Sequence, residues 1–171
     1  RIDPERIPTL RPAFAKDGTV TAASASSSSD GAASLVLMSE ATAATLGATP
    51  LARIVAHAGF AHEPEWFTTA PIGAIRNLHE RLGWTPDDVD LYEINEAFAC
   101  VTMAAMHDLG LPHDKVNVNG GACALGHPIG ASGARIIVTL VHALASRGGK
   151  RGIASLCLGG GEAVAIAIER P

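Results

Sequence analysis

Five glycines, Gly120, Gly121, Gly126, Gly130 and Gly133, crowd into residues 117–136 of this 171-residue chain. Glycine costs backbone entropy on folding and brings no side chain to a core. Such a density implies backbone pressed against a ligand or another segment. His127 stands among the glycines, followed by Pro128 and then by the apolar run 134–146. That run is long and apolar enough to be a buried helix. Pro128 confines His127 to extended backbone, so the helix is expected to begin two to four residues later. The predicted order is a strand from Lys115 to Val118, a glycine loop, a histidine and a helix amino end. Such an end carries unpaired N–H groups and partial positive charge. A histidine held there can meet an oxyanion or a thiol. No Lys-Ser/Thr follows the glycines and no Gly-x-Gly-x-x-Gly opens the helix, so neither a phosphate loop nor a dinucleotide fingerprint is present. A histidine in a glycine loop also serves as a plain turn residue, so this stretch marks a site without naming its chemistry.

The rest of the chain reads as alternating strands and helices. Pro4, Pro8 and Pro12 are expected to keep residues 1–20 irregular. The serine run in residues 21–31 is either a flexible linker or a small-residue strand and turn with hydroxyls facing a ligand. Residues 32–38 read as a buried strand, and Ser39 as the N-cap of a helix over 40–46 that stops at Gly47. Residues 51–58 are β-like. Ile72, Ile75, Leu78 and Leu82 share one face of a helix ended by Gly83. Residues 89–95 alternate as a strand that runs directly into a helix carrying Cys100 as a small core residue. Asn95 falls at that junction, where open α/β sheets bind ligands, although a helix cap is the plainer use of an asparagine there. Residues 152–157 and 163–168 form two strands joined through Gly159, Gly160 and Gly161. A cysteine at a strand end before three glycines is a pointed local signal, because glycine leaves N–H groups free to line an anion nest. The order from residue 51 is βαβαβαββ, an α/β fold with a mixed five-stranded sheet covered by helices. Asn95, His127 and Cys157 all stand at strand ends.

Composition bounds the function. A net charge of −4 gives no basic footprint for nucleic acid. No uninterrupted apolar run reaches the ~18 residues of a membrane span, and no secretory signal opens the chain. Three cysteines argue for a reducing, cytoplasmic compartment rather than a disulfide framework. His57 and His62 lack the further ligands a metal would need. The chain opens on Arg1 rather than methionine, which reads as a fragment or a processed chain.

Taken together, Asn95-Glu96-Ala97-Phe98, the stretch Gly120 to Gly133 and Cys157-Leu158-Gly159-Gly160-Gly161 resemble the thiolase family, in its order and spacing and over the whole chain. The resemblance implies exchange of acyl groups between CoA thioesters by Claisen condensation or its thiolytic reverse, in the cytoplasm or an organelle of fatty-acid oxidation. CoA thioesters are then substrates, and no covalently bound cofactor is implied. His127 would activate an acyl-accepting cysteine. Cys157 would exchange protons with the acetyl methyl group or with CoA. Asn95 would hold a water that, with His127, stabilises an enolate. The Gly159 N–H would line a second oxyanion hole, and Ser26, Ala97 and Phe98 would lie near the CoA pantetheine. Two positions depart from the family pattern. Ala23-Ser24 replaces a usual Gly-Asn, which bears on CoA contacts, and Phe67 replaces a frequent methionine, which bears on acyl length. The family's nucleophilic cysteine has no counterpart here. Residues 1–50 resemble the end of the amino-terminal half and its loop region, and 51–171 the carboxyl-terminal domain. The implied partner is an amino-terminal half, on a separate chain or a nicked portion, the complete unit forming a homo-oligomer. A non-catalytic CoA-binding or scaffolding half is the alternative. A ketoacyl-synthase relative would carry histidine, not asparagine, at the Asn95 station.

Overall fold

The computed structural model describes residues 3–171; the expectation of irregular chain at residues 1 and 2 lies outside them. Strands β1 (Arg53–Ala61), β2 (Leu91–Ile94), β3 (Arg151–Cys157) and β4 (Glu162–Glu169) form one sheet in the order β1-β4-β3-β2. β2 and β3 run parallel, and the other neighbours are antiparallel. Helices are α1 (Glu40–Leu46), α2 (Ala70–Leu82), α3 (Ala99–Leu109), α4 (Ala122–Leu125) and α5 (Ile129–Arg147). Strand alternation divides the core. Tyr92, Ile94, Ile153, Ala163, Ala165 and Ala167 face α2 and α3, whereas Leu91, Ala154 and Ile168 face Leu140 and Leu144 of α5. With both faces covered, β2 is buried throughout.

The expected α/β architecture is present, with four strands rather than five. The segment after α3 makes a single parallel bridge, Val116 to Tyr92, and stops. Asn117 adopts a left-handed φ of 47° that ends extended chain. Its side chain then takes the place of a strand residue. Oδ1 accepts the Ile94 N–H at 2.8 Å, and Nδ2 donates to the Ile94 carbonyl at 2.8 Å.

Other expectations were met unevenly. α1 is capped by the Ser39 hydroxyl and ended by Gly47, and α2 is ended by Gly83, both glycines being left-handed. α5 begins two residues after His127. Residues 32–38, however, form no strand and lie open, with Val36 83% and Leu37 70% exposed, because nothing among the described residues covers them. Pro4–Thr9 makes a short 3-10 turn despite its prolines, since Pro4 occupies the first turn and Asp3 caps it. The serine run is neither strand nor free linker. Bridges from Ala25 to Phe98 and from Ser28 to His127 fasten it to the body. Cys100 is exposed rather than part of the core. Among the described residues, only α5 has the length and apolar composition of a membrane span. Ile136, Leu140 and Leu144 pack it against the sheet, and it carries Arg135.

Candidate active site

β2 and β3 are parallel with Ile94 opposite Ser155, and the Asn95 N–H donates to the Ser155 carbonyl at 2.9 Å. Asn95 and Cys157 therefore occupy the same, carboxyl, end of the sheet. Asn95 is 1% exposed. It follows the same strand parity as Leu91 and Glu93, which point toward α5.

His127 enters from the glycine loop just ahead of α5. Its backbone N–H donates to the Ser27 carbonyl at 2.9 Å, so the serine run holds the loop in place. Its Nδ1 lies 2.6 Å from the Ser132 hydroxyl, which sits 3.0 Å from the Pro128 carbonyl. The Pro128 carbonyl already accepts from the Ala131 and Ser132 backbone N–H groups, so the Ser132 hydroxyl can donate either to it or to Nδ1. Nδ1–H bonding to Ser132 leaves Nε2 its lone pair, whereas a hydroxyl donating to Nδ1 puts the ring proton on Nε2. The Asn95 Nδ2 amide, a donor, lies 3.4 Å from that Nε2. Burial and then the nearby Arg135 cation lower the His127 pKa. That direction favours the neutral ring, whose Nε2 is turned toward Asn95.

Cys157 closes β3 and packs half-buried against the α2/α3 core. Among the described residues it forms no hydrogen bond with His127 or Asn95. Burial is the largest effect on its thiol and raises its pKa. Gly159 lies exposed in the turn beyond it, its N–H bonded to no acceptor among the described residues and its Cα facing open space. The Ser26 hydroxyl donates to the Ala97 carbonyl at 2.9 Å, keeping its lone pairs available. Phe98 packs edge-on between Phe14 and Phe67, at 5.6 and 6.4 Å between ring centroids. Ser26, Ala97, Phe98 and Phe67 thus form one neighbourhood. No cluster that could hold a metal ion occurs among the described residues.

Glu96, which stands beside Asn95 at the same junction, and three further residues that escaped the sequence reading also build this site. Glu96 accepts from Asn117 Nδ2 at 2.7 Å and from the Cys123 N–H at 3.1 Å, tying the Asn95 junction to the glycine loop. A Cβ on Gly121 would collide with that carboxylate, so glycine lets Glu96 occupy this place. Ser132, Arg135 and Glu93 complete the group. The spacing Ser132-x-x-Arg135, which puts two polar groups on one face of an apolar helix, and the shared parity of Glu93 and Asn95 were the available signals.

Residues 48–170 match the family profile described as Thiolase, C-terminal domain, and residues 1–41 match Thiolase, N-terminal domain. The acetyl-CoA acetyltransferase of Chromobacterium violaceum is 55% identical over 162 residues, which are 95% of this chain and 41% of that relative. That of Cupriavidus necator is 54% identical over 94% of this chain and 41% of its own length. The crystal structure of the Bacillus anthracis acetyl-CoA acetyltransferase superposes with a TM-score of 0.97 at 50% identity, covering 99% of this chain and 43% of that one. The Acat5 thiolase of Ascaris suum in complex with coenzyme A gives 0.91 at 42% identity, covering all of this chain and 45% of that one. The chain thus spans under half the length of these relatives. Sequence and backbone agree along almost all of that span, and on that agreement the chain belongs to the thiolase family.

Proposed function

We propose that this chain supplies the His127, Asn95 and Cys157 part of a thiolase active site that interconverts two acetyl-CoA with acetoacetyl-CoA and CoA, or cleaves longer 3-ketoacyl-CoA. The observation that carries the reading is the approach of His127 Nε2 to the Asn95 side-chain amide, 3.4 Å apart, at the carboxyl ends of two parallel strands. In this reading His127 Nε2 takes the proton of a nucleophilic cysteine contributed by an amino-terminal half. That thiolate attacks the thioester carbonyl, and CoA leaves. Cys157, protonated by virtue of its burial, gives its proton to the departing CoA thiolate. The resulting Cys157 thiolate removes a methyl proton from the second acetyl-CoA. Asn95, through a water, and His127 stabilise the enolate, and the Gly159 N–H awaits charge on the acyl-enzyme carbonyl. Donors fixed in advance are effective because they need not reorganise as charge develops. Ser26, Ala97 and Phe98 border the pantetheine. The division near residue 50, with the preceding segment belonging to the first half, is part of the same proposal. So is the partner surface, which the exposed Phe14, Val36, Leu37 and Ile129 would supply.

The test uses the chain assembled with its amino-terminal half. His127→Ala and Cys157→Ala should each abolish thiolysis of acetoacetyl-CoA while assembly persists. Exchange of acetyl-CoA methyl protons with solvent should be lost in Cys157→Ala. Full activity in both variants would leave only a CoA-binding or scaffolding half.

A further inference from the structure

Beyond the groups that meet substrate, α5 sends a second polar side chain into the site. Arg135 lies three residues past Ser132, on the same face of the helix. Its Nη1 is 3.3 Å from Glu93 Oε2, and its Nη2 is 3.5 Å from Asn95 Oδ1. Glu93 is 1% exposed, and its second oxygen, Oε1, is buried without a partner among the described residues. Arg135 is thus the one hydrogen-bond partner of this side chain among the described residues. An asparagine amide is nearly symmetric in shape, and only its partners decide which end points where. A cation beside Oδ1 decides it, because guanidinium has only donors to offer. Nδ2 is then the end left for His127.

We infer that Arg135, braced by Glu93, is a positioning residue that fixes the amide orientation of Asn95 and through it the protonated nitrogen of His127. α5 grips the pair from both ends. Ser132 holds His127 at Nδ1, and Arg135 holds Asn95 at Oδ1. Donors and acceptors then run in one direction from Arg135 to the Pro128 carbonyl. Reversing the Asn95 amide would set Oδ1 against the Nε2 lone pair and favour the other tautomer. A lysine at 135 has one point charge on a flexible stem. It can pair with Glu93 or reach Asn95, but it cannot do both in fork geometry.

This inference rests on the catalytic reading of His127 and Asn95, yet its first readout does not need catalysis. In the unmodified chain, the ring nitrogens of 15N-labelled His127 should report a single neutral tautomer protonated at Nδ1. In Arg135→Lys both tautomers should appear with charge conserved. In the assembled enzyme this variant should lose about tenfold in kcat, the ~1.4 kcal/mol of one such interaction, with KM for acetyl-CoA within about twofold. Glu93→Gln keeps an acceptor beside Arg135 and should retain the single tautomer. An Nε2-protonated ring in the unmodified chain, or a single tautomer with unchanged kcat in Arg135→Lys, overturns the inference and leaves the thiolase reading intact. Full activity in His127→Ala overturns the thiolase reading instead, whatever the tautomer.

Discussion

Replacing Glu93 by glutamine should change how stability depends on pH. Glu93 sits on β2 against α5, 1% exposed, with one oxygen on Arg135 and the other unpaired. Burial raises its pKa from 4.5 to about 7, opposed by Arg135 and reinforced by Glu96. Burial of an ionised carboxylate is costly even beside a cation. The native state therefore holds this proton where the unfolded chain has released it. Stability from this group is fully present below pH 4.5 and is lost as pH rises through about 7. A tenfold change in proton affinity is worth ~1.4 kcal/mol, so the shift from 4.5 to about 7 amounts to about 3 kcal/mol. Glutamine keeps the shape, stays neutral and leaves an acceptor for Arg135. Its pH dependence should lack that loss. His79 and His127, whose pKa values burial lowers, act in the opposite sense in both proteins and largely cancel in the comparison. Urea denaturation at intervals from pH 4.5 to 8 would measure the difference. Glu93→Gln should gain on the unmodified protein by about 3 kcal/mol across the range. A constant difference would show that burial does not govern this carboxyl, and a difference of opposite sign would make the Arg135 pair the stronger influence.

Other outcomes follow from the same geometry. Asn117→Ala removes both side-chain bonds to Ile94 and should destabilise by about 2–3 kcal/mol in denaturant titration, because buried backbone groups lose their partners. Gly121→Ala should drive Glu96 out of the glycine loop and raise hydrogen exchange at the Cys123 amide, seen by mass spectrometry. Leu140→Ala, on the fully buried face of α5, should cost about 2–5 kcal/mol in the same titration. Alkylation at pH 7 should label exposed Cys100 before Cys123 and Cys157, since burial raises the pKa of both: Cys123 to about 11, Cys157 upward.

Much of this was legible from local pattern. The Ser39 cap and terminal glycines marked α1 and α2, the apolar run marked α5, and strand ends marked Asn95 and Cys157, whereas His127 follows the short helix α4 because the strand expected before it shrinks to one bridge. Local pattern failed where the deciding partner is distant in sequence. Residues 32–38 have the composition of a buried strand, but burial depends on what covers them. Val116 to Val118 alternate like a strand, but Asn117 turns the chain so that its own amide can bond Ile94. Cys157 stands where a reactive thiol would, yet burial raises its pKa. Arg135 and Glu93 were hidden by a separation of 42 residues, which no periodicity crosses.

The Asn117 arrangement bears on solubility as well as shape. β2 is an outer strand of the sheet, and outer strands offer free N–H and C=O groups to any passing chain. A single side-chain amide occupies both groups of Ile94, while the Tyr92 carbonyl accepts from the Asn117 backbone at 2.9 Å. The carboxyl end of this edge is thereby closed to further strands without spending another strand to close it.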